Sequence, residues 1–151
     1  MKIVEDDLSG PEIAALLSEH LDDMRATSPP ESKHALDLDD LRHPDVSFWS
    51  AYDGDELVGC GAIKRLDASH AEVKSMRTAR SRRGGGIASA LLTQLLDEAR
   101  RMGFRRVSLE TGSAEFFAPA RGLYRKFGFD YCEPFGDYRL DPHSVFMTRE
   151  L

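Results

Sequence analysis

Three consecutive glycines leading straight into an amphipathic run, Arg83-Gly84-Gly85-Gly86-Ile87-Ala88, are the residues of this chain best placed to do chemistry. Glycines lose much backbone entropy on ordering, so a run of them needs a use. At a helix start the first N–H groups have no intrahelical partner and the helix dipole favours negative charge. A glycine loop feeding a helix is therefore a seat for phosphate. Spacing excludes two familiar phosphate sites. A Walker loop needs Gly-Lys-Ser/Thr after four spacer residues, and Ile87-Ala88-Ser89 offers no lysine. A dinucleotide fingerprint needs a further glycine near Ser89 and an early βαβ unit. Arg77, Arg80, Arg82 and Arg83 crowd the loop, which beside a phosphate seat favours attraction of a polyanion over simple solvation. His20, His34, His43, His70 and His143 show no paired ligand spacing, and Cys60 stands far from Cys132, so no metal is expected.

The elements that must hold this seat follow from periodicity. Residues 2–5 read as a strand. Ser9 with Glu12 forms a capping box and Pro11 suits the first turn of a helix carrying Ile13, Leu16, Leu17, His20, Leu21 and Met24 at helical spacing. Leu36 to Leu41 suggests a short second helix ended by Pro44. Residues 46–52 and 57–63 flank Asp53-Gly54-Asp55 as a hairpin, and residues 70–78 add a strand. Ile87, Leu91, Leu92, Leu95, Leu96 and Ala99 make one apolar helix face, closed by Gly103. Arg106 to Glu110 is a buried strand, a Pro119-started helix runs through Phe127 to a stop at Gly128, and strands near 129–133 and 144–149 finish the chain. The order β-α-α-β-β-β-α-β-α-β-β is an α/β fold with a mixed sheet.

Bulk properties narrow the class. At 151 residues, 41% hydrophobic and 30% charged, the chain reads as one globular domain over 1–151. A net charge of −6 argues against nucleic-acid binding. No apolar run approaches the ~20 residues that cross a membrane, and the N-terminus lacks the apolar core of a signal peptide. A cytosolic (cytoplasmic) protein with reduced thiols is the expectation.

Arg83-x-x-Gly86-x-Ala88 resembles the acetyl-CoA motif Gln/Arg-x-x-Gly-x-Gly/Ala of the GCN5-related N-acetyltransferase (GNAT) superfamily. Leu123-Tyr124-Arg125-Lys126-Phe127-Gly128-Phe129 looks like that family's Leu-Tyr-x-Lys-x-Gly-Phe segment. Ala71 to Met76 resembles its glutamate-bearing strand, with Glu72 eleven residues before Arg83. Phe135-Gly136-Asp137-Tyr138 and the run from Ser144 to Met147 are similar to a bacterial branch of small acetyltransferases. The resemblance covers essentially the whole chain. It implies a GNAT fold: a mixed, mostly antiparallel seven-stranded sheet with helices on both faces.

The resemblance also implies roles. Backbone N–H groups of Arg83, Gly84, Gly85, Gly86, Ile87, Ala88 and Ser89 would hold the pyrophosphate of acetyl-CoA. Main-chain groups of Met76, Arg77 and Thr78 would pair with its pantetheine arm, and Lys126 would join the cofactor contacts. Tyr124 would meet the departing thiolate as general acid; its alternative is a packing tyrosine with a surface hydroxyl. Glu72 would take the acceptor's proton; its alternative is a strand glutamate paired with Lys74 or an arginine. Strict alternation places Glu72, Lys74, Met76 and Thr78 on one face, and a bulge, common in this strand of the family, would break that parity. Arg77 is a candidate for a substrate carboxylate or for an internal ion pair with Glu72 or Glu110, and His34 for substrate contact. Phe117 stands where many members carry a cofactor-binding asparagine. The expected activity is direct acetyl transfer from acetyl-CoA to a small-molecule amine in a ternary complex, since no cysteine lies in the motifs. Acidic residues including Asp37, Asp39 and Asp40 favour a cationic acceptor or form a solvated helix face. Protein N-terminal or lysine acetylation, and a non-catalytic CoA-binding module, are the alternatives. A homodimer through C-terminal strands is the family-level expectation.

Overall fold

Alternation and helical spacing in the sequence resolve into eleven strands and α-helices in the computed structural model, which describes residues 1–27 and 38–151. In chain order they are β1 (Lys2–Glu5), α1 (Pro11–Thr27), α2 (Leu38–Leu41), β2 (Val46–Asp53), β3 (Glu56–Arg65), β4 (His70–Thr78), α3 (Ile87–Arg101), β5 (Arg106–Gly112), α4 (Ala118–Lys126), β6 (Asp130–Cys132) and β7 (Ser144–Glu150). Pro11 is the first residue of α1, where its missing N–H costs nothing. The capping box expected at Ser9 does not form. The Ser9 hydroxyl donates instead to Asp7 Oδ1 at 2.6 Å, and its N–H donates to the same oxygen at 3.0 Å. Such local side-chain turns compete with helix caps. The hairpin closes with Asp53 opposite Glu56 around Gly54-Asp55.

One sheet runs β1-β2-β3-β4-β5-β7-β6, with every neighbouring pair antiparallel except β4–β5. Its two faces carry separate cores. On one face Ile13 and Leu17 of α1 and Leu41 of α2 cluster with Phe48, Cys60 and Ala62 of the sheet. On the other, Leu95 of α3 and Tyr124 of α4 cluster with Ile63, Val73, Leu109 and Phe129. The apolar stripe of α3 from Ile87 to Ala99 is buried as its spacing predicts.

Two irregularities matter for function. In β4, Cys60 faces Arg77 and Ala62 faces Lys74, so Gly61 alone opposes both Ser75 and Met76. This is a β-bulge, with Ser75 at φ 54°. It reverses the alternation. Met76 joins the core against α3, and Arg77 turns to α1, where it pairs with Glu19 and Asp23. The shared face expected for Glu72, Lys74 and Met76 is thus broken after Lys74. The second irregularity is the parting of β4 and β5. They pair only where His70, Ala71 and Glu72 face Arg106, Val107 and Ser108, although both strands continue.

Gly59 sets how closely α3 lies on the sheet. A Cβ there would stand 2.9 Å from the Arg77 carbonyl oxygen, Ile87 Cγ2 and Leu91 Cδ1. The carbonyl belongs to the β-ladder and cannot yield as a side chain would. Gly59→Ala is expected to lower unfolding stability by about 1–3 kcal/mol. In urea titration this reads as a lower midpoint at unchanged slope.

Candidate active site

A cavity of ≈ 650 Å³ opens where β4 and β5 part, walled by both strands, α1, the glycine loop and α4. At one end the loop delivers Gly86 as the N-cap of α3 in the left-handed region, φ 84°, with no side-chain cap on the helix. A Cβ on Gly84 or Gly86 would meet nothing within 4 Å, so the backbone faces open space. The uncapped N–H groups of α3 fit an anion such as a pyrophosphate. Arg83, Gly84, Gly86, Ile87, Ala88 and Ser89 line the cavity together with Met76, Arg77 and Thr78. Gly85 instead lines a smaller recess beside Ser81 and Arg82. Lys126 is exposed and does not line the cavity, because two helical positions turn it away from the face that carries Tyr124. His34 and Asp37 lie outside the described residues; Asp39 and Asp40 are exposed on α2 and do not reach the cavity.

The arginines crowding the loop are neutralised within the fold. Arg77 meets Asp23 at 2.6 Å and also pairs with Glu19. Arg80 reaches Asp23 at 2.6 Å and Arg83 reaches it at 3.3 Å. Arg82 bridges Asp53 and Glu56. Burial works against charge on Asp23, but hydrogen bonds from Arg80 and Arg77 prevail and hold its carboxyl at about 2. With 4% side-chain exposure and both partners on α1, Arg77 ties helix to strand. The internal ion pair considered for Arg77 thus forms with Glu19 and Asp23 rather than with Glu72 or Glu110. Burial and the Arg77 charge push the His20 imidazole down to about 4, leaving a neutral ring on the cavity wall.

The other end is acidic and closed. Lys74 Nζ lies 3.2 Å from Glu72 Oε2, with side chains 8% and 4% exposed. The Tyr138 hydroxyl donates to Glu72 Oε2 at 2.5 Å and accepts from Lys74 at 2.8 Å. Tyr138 comes from the segment between β6 and β7, wedged against Phe135 at 5.1 Å and Phe146 at 5.5 Å. Burial and the Glu72 charge drive its phenol far up, so it remains a donor. Glu72 is thus engaged by Lys74, the partner named as its alternative role.

On β5, Glu110 follows two residues after Ser108, which faces Glu72 across the ladder, so the two glutamates share a sheet face. Burial pushes the Glu110 carboxyl up to about 7; the Lys74 charge opposes this, and Glu72 and Asp141 add to it. Tyr124 approaches from α4, 7% exposed and edge-on to Phe129 at 5.8 Å. Burial, then the Glu110 charge, push its phenol well above the usual range, so it holds its proton at neutral pH. Phe117 packs over Gly112, where a Cβ would fall 2.0 Å from its ring. The position of the family's asparagine is therefore an apolar wall.

Sequence reasoning brought Tyr124, Glu72 and the loop to one cavity. It did not assign Glu110, Lys74 or Tyr138 to the site. Glu110 had a signal, as a carboxylate ending the apolar run Val107-Ser108-Leu109. Tyr138 stood in the Phe135-Gly136-Asp137-Tyr138 run, but nothing there gave its role, because its contact depends on a segment folding across the sheet.

The family model of the acetyltransferase (GNAT) family matches residues 13–129. An uncharacterized N-acetyltransferase of Bacillus subtilis, YsnE, is 55% identical over 151 residues, covering 100% of both chains. An IAA acetyltransferase of Azospirillum brasilense is 44% identical over 124 residues, covering 82% of this chain and 80% of the relative. Among solved structures, an aminoglycoside 6'-N-acetyltransferase complexed with coenzyme A superposes with a TM-score of 0.72 at 20% identity, covering 99% of this chain and 97% of that one. That likeness is one of fold.

The raised carboxyl of Glu110 makes a stability prediction. Below its ordinary value of 4.5 both folded and unfolded states are protonated there, and the group contributes nothing. Between 4.5 and about 7 only the unfolded state ionises, so stability is lost progressively, and above about 7 the penalty is complete. Glu110→Gln is expected to raise Tm by a few degrees at pH 8 and leave it nearly unchanged at pH 4, measured by thermal scans at both.

Proposed function

This chain belongs to the acetyltransferase (GNAT) family and is an acetyl-CoA-dependent N-acetyltransferase, and we propose that it passes the acetyl group directly to the amine of a small molecule in a ternary complex. The observation carrying this reading is that the uncapped glycine loop, the bulged end of β4 and Tyr124 face one cavity. The loop and the first turn of α3 receive the pyrophosphate of acetyl-CoA. Beyond Glu72, β4 has no ladder partner on its β5 side. Its main-chain groups from Met76 to Thr78 are suited to an extended pantetheine arm, in the manner of an added strand.

Tyr124, buried and protonated, donates to the departing thiolate. A thiol near pKa ~8.5 leaves more readily when its developing charge is met. Direct transfer is supported by the state of the cysteines. Cys60 is fully buried and its thiol is pushed up to about 12 by that burial; Cys132 does not line the cavity. Neither is an activated nucleophile. The acceptor end, closed by the buried Lys74 and Glu72 and by Tyr138, suits a small molecule better than a residue of a folded protein.

Thiol release from acetyl-CoA across a panel of small amines tests the reading. Tyr124→Phe is expected to lower turnover at least about tenfold while acetyl-CoA affinity stays nearly constant. Gly86→Ala, forced into a left-handed conformation at a cost of about 1–2 kcal/mol, is expected to weaken CoA binding severalfold in calorimetry. Binding of acetyl-CoA with no thiol release for any amine would instead identify a regulatory CoA-binding module.

A further inference from the structure

Two carboxylates face the acceptor end of the cavity, and the structure treats them differently. Glu72 is committed: Lys74 neutralises it and Tyr138 donates to the same oxygen. Both partners sit on Oε2, and the Glu72 side chain is 4% exposed, so an incoming ammonium would have to displace one of them to reach that oxygen. Glu110 stands past the point where β4 and β5 part, on the Glu72 side of the sheet, and lines the cavity with Tyr124. It is near enough to Tyr124 for its charge to act on that phenol.

We propose that Glu110 is the general base that accepts the proton of the acceptor ammonium, and that Glu72 is a positioning residue whose pairing with Lys74 and Tyr138 fixes the acceptor end. This rests on the acetyltransferase reading above. With Glu72 paired to Lys74 and Asp23 to arginines, Glu110 is, among the described residues that line the cavity, the carboxylate without an ion pair, and so the one placed to attract a cationic amine. The groups facing it are Glu72 and Lys74 from β4, Tyr124 from α4, Tyr138 and Asp141 from the segment before β7, and Ser144 at the start of β7. Its carboxyl, raised by burial to about 7, narrows the gap to an alkylammonium near ~10 compared with an ordinary glutamate near ~4.3.

The protons balance. R–NH₃⁺ gives one proton to the Glu110 carboxylate, which passes it to solvent. The freed nitrogen lone pair forms the N–C bond to the thioester carbonyl carbon, and the C–S bond breaks with its electron pair on sulfur. The thiolate takes the Tyr124 proton, and Tyr124 regains one from the acylated nitrogen. The products are the amide, free thiol and one proton in solution.

The test is the pH dependence of kcat/KM for the unaltered protein, Glu110→Gln, Glu110→Asp and Glu72→Gln, with CoA binding followed by calorimetry. The unaltered protein is expected to lose activity below about pH 7. Glu110→Gln is expected to fall at least about 100-fold at pH 8, to lose that acidic limb and to bind CoA normally. Glu110→Asp is expected to recover part of the rate together with the limb. Glu72→Gln is expected to be slower but to keep the limb. Infrared difference spectroscopy gives a readout independent of turnover: a protonated-carboxyl band titrating near neutral pH, present in Glu72→Gln and absent in Glu110→Gln. A limb or band that survives Glu110→Gln, or disappears in Glu72→Gln, overturns the proposal alone. No turnover by the unaltered protein with any amine overturns the transfer reading and this proposal together.

Discussion

The parting of β4 from β5 after three paired residues is the constraint on which the rest of this structure depends. Parallel strands that stay paired bury their polar backbone groups in one another and leave no room between them. Once they diverge, main-chain donors and acceptors on the inner edges need other partners. A cavity then forms inside the sheet. The parting brings Glu110 from β5 and Lys74 from β4 to opposite sides of the gap, and it lets Tyr124 approach from a helix on the far face. The site thus combines groups from both layers of the domain, which an unbroken sheet would have kept apart.

The bulge in β4 acts with the parting. One added residue turns Arg77 toward α1 and Met76 toward α3. Arg77 then becomes the buried anchor of a charge network in which Glu19 and Asp23 also take Arg80 and Arg83. Exposed ion pairs contribute little, but this network is centred on a guanidinium of 4% exposure and removal of one partner would strand a buried charge. Its consequence is positional. The glycine loop and the helix that walls the cavity are held to each other. Arg83 also lies 5.5 Å over the ring of Phe116, which draws the segment before α4 toward the same mouth.

The end of the cavity beside Glu72 and Glu110 shows the opposite use of burial. Around Asp23, hydrogen bonds outweigh desolvation and the carboxylate is secure. Around Glu110, desolvation outweighs the help of Ser144 and Lys74, and the carboxyl is held above its ordinary range. The aromatic set of Phe135, Tyr138 and Phe146 supplies the low-dielectric wall and fixes the hydroxyl that engages Glu72. Holding an ionisable group in such surroundings costs stability, as active sites often do.

Much of the fold was legible along the chain. Apolar spacing from Ile87 to Ala99, the Gly54-Asp55 turn and Pro119 mark elements through local stereochemistry, and the structure has them where the periods place them. The glycine loop and the uncapped start of α3 were readable for the same reason, because both depend on adjacent backbone groups. Ser9 shows the limit of local rules: Asp7, two residues away, captures the hydroxyl that a cap would have used. The partners of the charged groups were not legible. Lys74 was readable as a partner of Glu72, but nothing in the spacing says that Arg77 pairs with α1, that Tyr138 joins Lys74 on Glu72, or that Glu110 faces the cavity with its charge penalised. Sequence alone determined the elements and the donor motif, since those depend on neighbours within a few residues. Tertiary structure decided which carboxylate is neutralised and which is poised, since charge pairing and desolvation depend on groups that only the folded sheet brings together.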